Sequence, residues 1–324
     1  MIKDKNIDAA ANIDPAKLGM PSLLGPKRAD GTMPKMWYVS KGGVNGSNNG
    51  AKDNPFLGIQ YAHDDTRVLG DDVIVVGRGV YEENVTFTKR VSLIGAAAHP
   101  GNVQIVGATT TSGAVAAFKH EALGGVVLAN FEVGRTNTAN LPGLWLVSSD
   151  VGSGSATTLS TQYRFLVKNV RVQDDNCDVG VLLEGTTLGR FEDLVIANCA
   201  QIGLALTGSA QNNPEDLEFD NIRFYGNVTA DIATVTGSQS FAARTTIVGR
   251  ALASLTFERM KHLDRVTTPV TNYVNFPAGF AHNQVNFFDC YAARDVADGT
   301  LLVIQPDTIW QGYSAAGAEF NIGV

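Results

Sequence analysis

A two-strand phrase that returns three times constrains this chain more than any other feature. Lys168-Asn169-Val170-Arg171-Val172 is followed by Gly180-Val181-Leu182-Leu183. Glu192-Asp193-Leu194-Val195-Ile196 is followed by Gly203-Leu204-Ala205-Leu206, and Asp220-Asn221-Ile222-Arg223-Phe224 by Ala230-Asp231-Ile232-Ala233-Thr234. Val170, Leu194 and Ile222 lie 24 and 28 residues apart; Gly180, Gly203 and Asp231 lie 23 and 28 apart. Constant strands separated by turns of variable length are what a coil produces when each repeat touches only its neighbours.

Short β-rich runs of the same texture occupy most of the chain. They fall at 73–76, 84–87, 91–94, 103–106, 126–133, 144–147, 165–172, 179–183, 194–196, 204–206, 217–219, 222–225, 232–235, 255–257, 285–288 and 301–304. Alternation and β-branched or aromatic enrichment mark each as a strand. Helical periodicity is credible only at 56–69, through Phe56, Ile59, Gln60, Ala62, His63 and Val68. One turn of a coil buries only the inward side of each strand, and stacking turns at about 4.8 Å pairs every backbone group with the rungs above and below. Inward apolar residues then form columns, and Asn can form ladders at tight bends. Roughly ten rungs fit into 70–310, a rod on the order of 50 Å long. The competing β-sandwich requires hairpin turns, and Asn45-Gly46 lies outside the strand array. The predicted fold is all-β: a single-stranded right-handed parallel β-helix with a short capping helix and an extended N-terminal arm.

Composition sets the limits on function. Hydrophobic residues make up 44% and charged ones 18% of 324 residues, with a net charge of −7. No stretch concentrates Lys and Arg, so no nucleic-acid partner is expected, and without a run of 18 apolar residues no membrane span is expected. Met1–Asn6 lacks the apolar core of a signal peptide, so maturation in a cytosol is expected. Cys177, Cys199 and Cys290 cannot all pair and lack zinc-site spacing; they read as buried thiols. Neither a metal nor a cofactor is expected. Gly42-Gly43-Val44-Asn45-Gly46 reads as a loop, not a phosphate cradle. Asp71-Asp72 and Asp295/Asp298 lack the calcium-loop spacing.

Residues 1–35 differ from the rest. Pro15, Pro21, Pro26 and Pro34 exclude a long helix after residue 14, and the segment has too few apolar residues to fold alone. The predicted division is an anchoring arm at 1–35 and a β-helix domain at 36–324, with its cap at 36–69 and its last rungs at 240–324.

Two resemblances add to this reading. Trp37-Tyr38-Val39-Ser40, Gly46-Ser47-Asn48-Asn49-Gly50 and Asn54-Pro55-Phe56-Leu57-Gly58-Ile59-Gln60-Tyr61-Ala62 resemble the opening of pectin-lyase-like β-helices, in which a helix caps the rod. Gly70-Asp71-Asp72-Val73-Ile74-Val75-Val76, the Gly79-Val80-Tyr81-Glu82-Glu83 turn and Val91-Ser92-Leu93-Ile94-Gly95 resemble that family's first rungs. The arm, with Ile7, Ile13, Lys17 and Leu18 in Ile7-Asp8-Ala9-Ala10-Ala11-Asn12-Ile13-Asp14-Pro15-Ala16-Lys17-Leu18, resembles a short segment of phage tail-fibre and other virion proteins. Together these imply a phage virion protein, a homotrimer whose arm meets the major capsid protein or other virion proteins.

The enzymatic signal is poor. Glycoside hydrolysis needs two carboxylates about 5–5.5 Å or 6.5–9.5 Å apart, and the best outward pair is Asp175 with Glu192 or Asp193. Solvated edge charges are the competing reading of these acids. Polygalacturonase-like members of the pectin-lyase-like family carry Asn-Thr-Asp, Asp-Asp, Gly-His-Gly and Arg-Ile-Lys phrases, of which only the Asp-Asp, Asp174-Asp175, is present. Trp145, Trp310, Tyr313 and Phe320 suit core or trimer packing better than glycan stacking. The expected function is a non-enzymatic virion protein, a capsid decoration (cement) knob anchored by its arm. The alternative is a tailspike or tail-fibre protein that binds or depolymerises host surface polysaccharide.

Overall fold

The computed structural model describes residues 31–47, 49–107, 114–118, 125–135, 142–147, 165–173, 177–208, 214–235, 252–263, 271–276, 282–292, 302–303, 308–314 and 319–323. The predicted arm residues Ile7, Ile13, Lys17 and Leu18, and Asp175, lie outside them.

Local backbone chemistry bends the chain into rungs. Asn130, Asn169, Asp193, Asn221 and Arg259 adopt φ values of 62°, 50°, 57°, 53° and 55°, a left-handed conformation that Asn and Asp tolerate best. Each turns a corner between two strands, so the runs expected as single strands at 126–133 and 165–172 are each two. Asn169 Nδ2 donates to Asn130 Oδ1 at 2.9 Å, and Asn221 Nδ2 to Asp193 Oδ1 at 2.7 Å. Corner amides thus tie successive rungs together.

The chain enters through β1 (Met36–Val39), then α1 (Ile59–Asp64). The first rung is β2 (Val73–Val76), β3 (Gly79–Glu82) and β4 (Val85–Phe87); the second is β5 (Ser92–Gly95), β6 (Val103–Gly107) and β7 (Ala116–Phe118). The third is β8 (Val127–Ala129), β9 (Glu132–Arg135) and β10 (Pro142–Val147). The fourth is β11 (Phe165–Lys168), β12 (Arg171–Gln173) and β13 (Val179–Glu184); the fifth β14 (Gly189–Glu192), β15 (Val195–Ala197) and β16 (Ile202–Thr207). The sixth is β17 (Glu215–Asp220), β18 (Arg223–Tyr225) and β19 (Ala230–Thr234); the seventh β20 (Leu252–Glu258), β21 (Lys261–Leu263) and β22 (Asn272–Asn275). The eighth is β23 (His282–Ala292) with β24 (Leu302–Val303), and β25 (Thr308–Ser314) follows before β26 (Glu319–Gly323) folds back antiparallel on it.

First strands pair in parallel from β2 to β25. Second strands do so from β3 through β21 to the end of β23, and third strands from β4 to β24. The fold is a right-handed parallel β-helix, the hand that parallel crossovers take.

The core is a set of columns one residue wide. Val167, Phe191, Phe219, Phe257 and Phe287 are in register, and the four Phe rings stack at 4.7, 4.6 and 4.5 Å. Val172, Ile196, Phe224 and His262 form a second column, and Leu144, Val181, Leu204, Ile232 and Val274 a third. Gly180 and Gly203 sit at close approaches within the coil: a Cβ on Gly180 would lie 2.7 Å from Cys199 Sγ, and one on Gly203 2.8 Å from the Asp231 carbonyl. The third column is buried on both faces. Every residue of β13, β16 and β19 is buried, and its second side forms an apolar cluster with Val179, Leu182, Ile202, Ala205 and Ala233, against which Trp145 packs. The three cysteines are buried thiols outside any disulfide, as expected.

The cap helix is shorter than the predicted 56–69. Phe56 is drawn into a β-bridge with Val39, and Asp65 leaves the helix with ψ 132°. Three side chains hold its ends. Asn45 Oδ1 accepts from the Leu57 and Gly58 amides, the Glu83 carboxylate from those of Ile59 and Gln60, and Lys89 Nζ donates to the carbonyls of His63, Asp65 and Val68. Gly79–Glu82, expected as a turn, is strand β3, because Tyr81 is buried in register with Ile105.

Candidate functional site

Alternation sets the outward chemistry. In β14 the Phe191 side chain is buried, so Arg190 and Glu192 on either side face out. Register then stacks Arg190, Glu218 and Thr256 along the rod axis, and beside them Lys168, Glu192, Asp220 and Glu258. A second left-handed column adjoins them: Leu188, Asp216, Ser254 and Gln284 have φ of 56°, 51°, 52° and 57°. Such kinks re-aim side chains at a strand's edge. Between the columns lies an open cleft of about 590 Å³ lined by Phe165, Gly189, Arg190, Glu192, Asp216 and Ser254, among others.

Three acids on this face are in ion pairs. Glu192 Oε2 meets Lys168 Nζ at 2.8 Å and its Oε1 meets Arg190 Nε at 2.6 Å. Arg190 also faces Glu218 at 3.7 Å. Asp220 accepts from Arg259 Nε at 2.7 Å and from Arg259 Nη2. The hydrogen bond to Glu192 pushes the Lys168 ammonium upward in pKa, and that to Asp220 does the same for the Arg259 guanidinium. Of the predicted alternative catalytic residues, Glu192 has both oxygens in ion pairs, with Lys168 and Arg190. Asp193 is a corner residue accepting from Asn221. The two are consecutive, at a strand end and its corner.

Sequence reasoning did not find Arg190, Ser254 or Arg259; no local motif marks them, and only the rung register brings them together. A different carboxyl, Glu132 of β9, is pushed upward by burial against the pull of Arg171. It contacts Arg171 at 3.7 Å and accepts from Gln104 at 3.2 Å. Among the described residues no group of three or more His, Cys, Asp or Glu is placed to hold a metal ion, and no helix is long and apolar enough to cross a membrane.

No protein-family model matches the chain, and no curated protein does. Solved structures similar to it include ORF18 of Geobacillus virus E2, with 16% identity, a TM-score of 0.48, and 69% of this chain and 41% of that one covered. Full-length tailspike protein 2 of Escherichia coli O157:H7 bacteriophage CAB120 has 12% identity and a TM-score of 0.46, over 91% of this chain and 40% of that one. The rice weevil pectin methyl esterase has 13% identity and a TM-score of 0.38, over 74% and 85%. The chain spans about two fifths of the length of the two phage structures. At these identities the likeness carries nothing about substrate or activity.

Proposed function

We propose that this chain is a non-enzymatic structural protein of a phage virion: a trimeric capsid decoration knob, anchored through residues 1–35 to the major capsid protein or another virion protein. The observation that carries the non-enzymatic part is the Lys168–Glu192–Arg190–Glu218 chain of ion pairs. It commits the outward carboxylate best placed for hydrolysis to holding rungs together. The virion part rests on the arm around Ile7, Ile13, Lys17 and Leu18, whose pattern resembles virion segments.

The test uses purified particles and the full chain. Wild-type protein added to undecorated particles is expected to bind them, and a chain lacking residues 1–20 to stay folded, by circular dichroism, yet not bind. Equal binding by the truncated chain would contradict the anchoring. Release of oligosaccharide from host surface polysaccharide by the wild type would contradict the non-enzymatic reading.

A second reading, a tailspike or tail-fibre protein that engages host surface glycan, is favoured by one observation. The cleft beside the left-handed column offers Ser254, Asp216 and Arg190 to a ligand. Glycan binding lost on Ser254→Trp, without product release, would support that reading; release lost with Asp175→Asn would support its catalytic form.

A further inference from the structure

His63 is the buried titratable group whose surroundings most narrowly specify one protonation state. Its ring is almost wholly buried in the cap helix and lies 4.8 Å from the Phe87 ring of β4. Nε2 accepts from two backbone amides of the segment that leaves β4, Thr88 and Lys89, each at 3.1 Å. A nitrogen that accepts carries no proton, so the ring proton sits on Nδ1, 2.8 Å from Asp64 Oδ1. The imidazole is therefore neutral, and it is the direct polar tie from helix α1 to those two amides.

The groups facing this ring are few. From its own helix come Asp64, whose charge favours the cation, and Gln60, whose Nε2 lies 3.4 Å from Nδ1. From the first rung comes Lys89, whose ammonium is bound to the His63 carbonyl at 2.7 Å and disfavours a second positive charge. Phe87 supplies an apolar wall. Desolvation outweighs the pull of Asp64 and holds the imidazole below its ordinary value of 6.5.

We propose that His63 is a pH-sensitive latch fastening the cap helix to the first rung: protonation turns Nε2 from an acceptor for Thr88 and Lys89 into a donor facing two donors, and the cap opens under mild acid while the rod stays coiled. A buried donor left facing donors forfeits both bonds and retains the desolvation cost. Because the folded value is depressed, the latch's contribution is fully present above the unfolded value of 6.5 and is lost as pH falls from there toward the folded one. Opening would uncover Phe56, Ile59 and Ala62, which close the end of the apolar stack.

Hydrogen exchange on the full chain tests this, with rates corrected for the intrinsic effect of pH. Between about pH 7.5 and about pH 5, protection of the amides at 62–65 and 85–89 is expected to fall by about tenfold, since each unit that the pH drops below the open-state value of 6.5, while still above the folded value, is worth a factor of ten. Protection in β13 and β16 should not change. His63→Gln keeps an acceptor and does not titrate, so its cap protection should be flat across the range; His63→Asn is the second variant. Flat cap protection in the wild type would overturn the proposal. So would an equal fall in His63→Gln, or an equal fall in β19 and β21, where Asp231 and His262 form a buried pair. If neither variant folds, the wild-type contrast between cap and rungs decides.

Discussion

Phe191 and Arg190 are neighbours in one strand and belong to different regimes. The Phe191 ring is fully buried and stacks on Phe219, while the Arg190 side chain is 53% exposed and reaches along the surface to Glu192 and Glu218. Inside, each ring replaces water with two neighbouring rings, and burying a Phe side chain is worth about 1.5–3 kcal/mol. Outside, an ion pair in high dielectric is worth about 0–1 kcal/mol. The inner columns therefore carry the fold, and the outer columns are free to carry partners. Chemistry on such a rod has to be sought in the outward residues, where substitution costs little.

The largest effect that could break this division is a charge placed inside. Leu204 is buried between Val181 and Ile232, and Leu204→Asp is expected to abolish the cooperative thermal transition, as is Val181→Asp. An isolated buried carboxylate costs several kcal/mol against a total stability of about 5–15 kcal/mol. An unchanged melting temperature would place both residues outside the stack. Phe219→Ala follows, removing the middle of the ring stack, with an expected loss of about 3–5 kcal/mol in urea unfolding.

Next comes Gly203→Ala. Its Cβ would press on Asn227 Nδ2 at 2.7 Å and the Asp231 carbonyl at 2.8 Å, for an expected loss of about 1–3 kcal/mol; Gly42→Ala, with nothing within 4 Å, is the neutral control. Alkaline pH reaches two buried groups of the interior. Burial pushes the Tyr81 hydroxyl up to about 12 from 10.0 and the Cys290 thiol up to about 12 from 9.0. Stability from Cys290 is complete below pH 9.0 and that from Tyr81 below pH 10.0, and both are lost as pH rises toward about 12. Cys290→Ala should delay the onset of that loss in an alkaline melt. The smallest effect is expected outside: Glu192→Gln should shift stability by about 1 kcal/mol or less, and a loss as large as that of Phe219→Ala would erase the contrast between the faces.

The interior was largely legible in the sequence, and the exterior was not. Val170/Leu194/Ile222 and Gly180/Gly203/Asp231 aligned because an inward position admits few residue types, and a tight corner selects Asn or Asp at 169, 193 and 221. Arg259 holds the same corner in the seventh rung without a composition that announces it. Strands β7, β21 and β22 went unseen because one or two inward residues leave no periodic trace, and in Lys261–Leu263 the inward residue is His262, not an aliphatic. Glu192 was visible within its phrase, but its partner Lys168 follows only from knowing which rung lies on which. The part played by Glu83 in holding the cap depends on a contact across 24 residues to Ile59.

Rung-on-rung register is the claim from which everything else descends. Glu218 and Thr256 are far apart in sequence and directly stacked in β17 and β20. Paired spin labels at Glu218→Cys and Thr256→Cys test it directly, since the native thiols are buried and leave labelling to the introduced ones. Strong dipolar broadening is expected, from backbones about 5 Å apart. Labels separated by more than about 20 Å, several rung spacings, would contradict the coil.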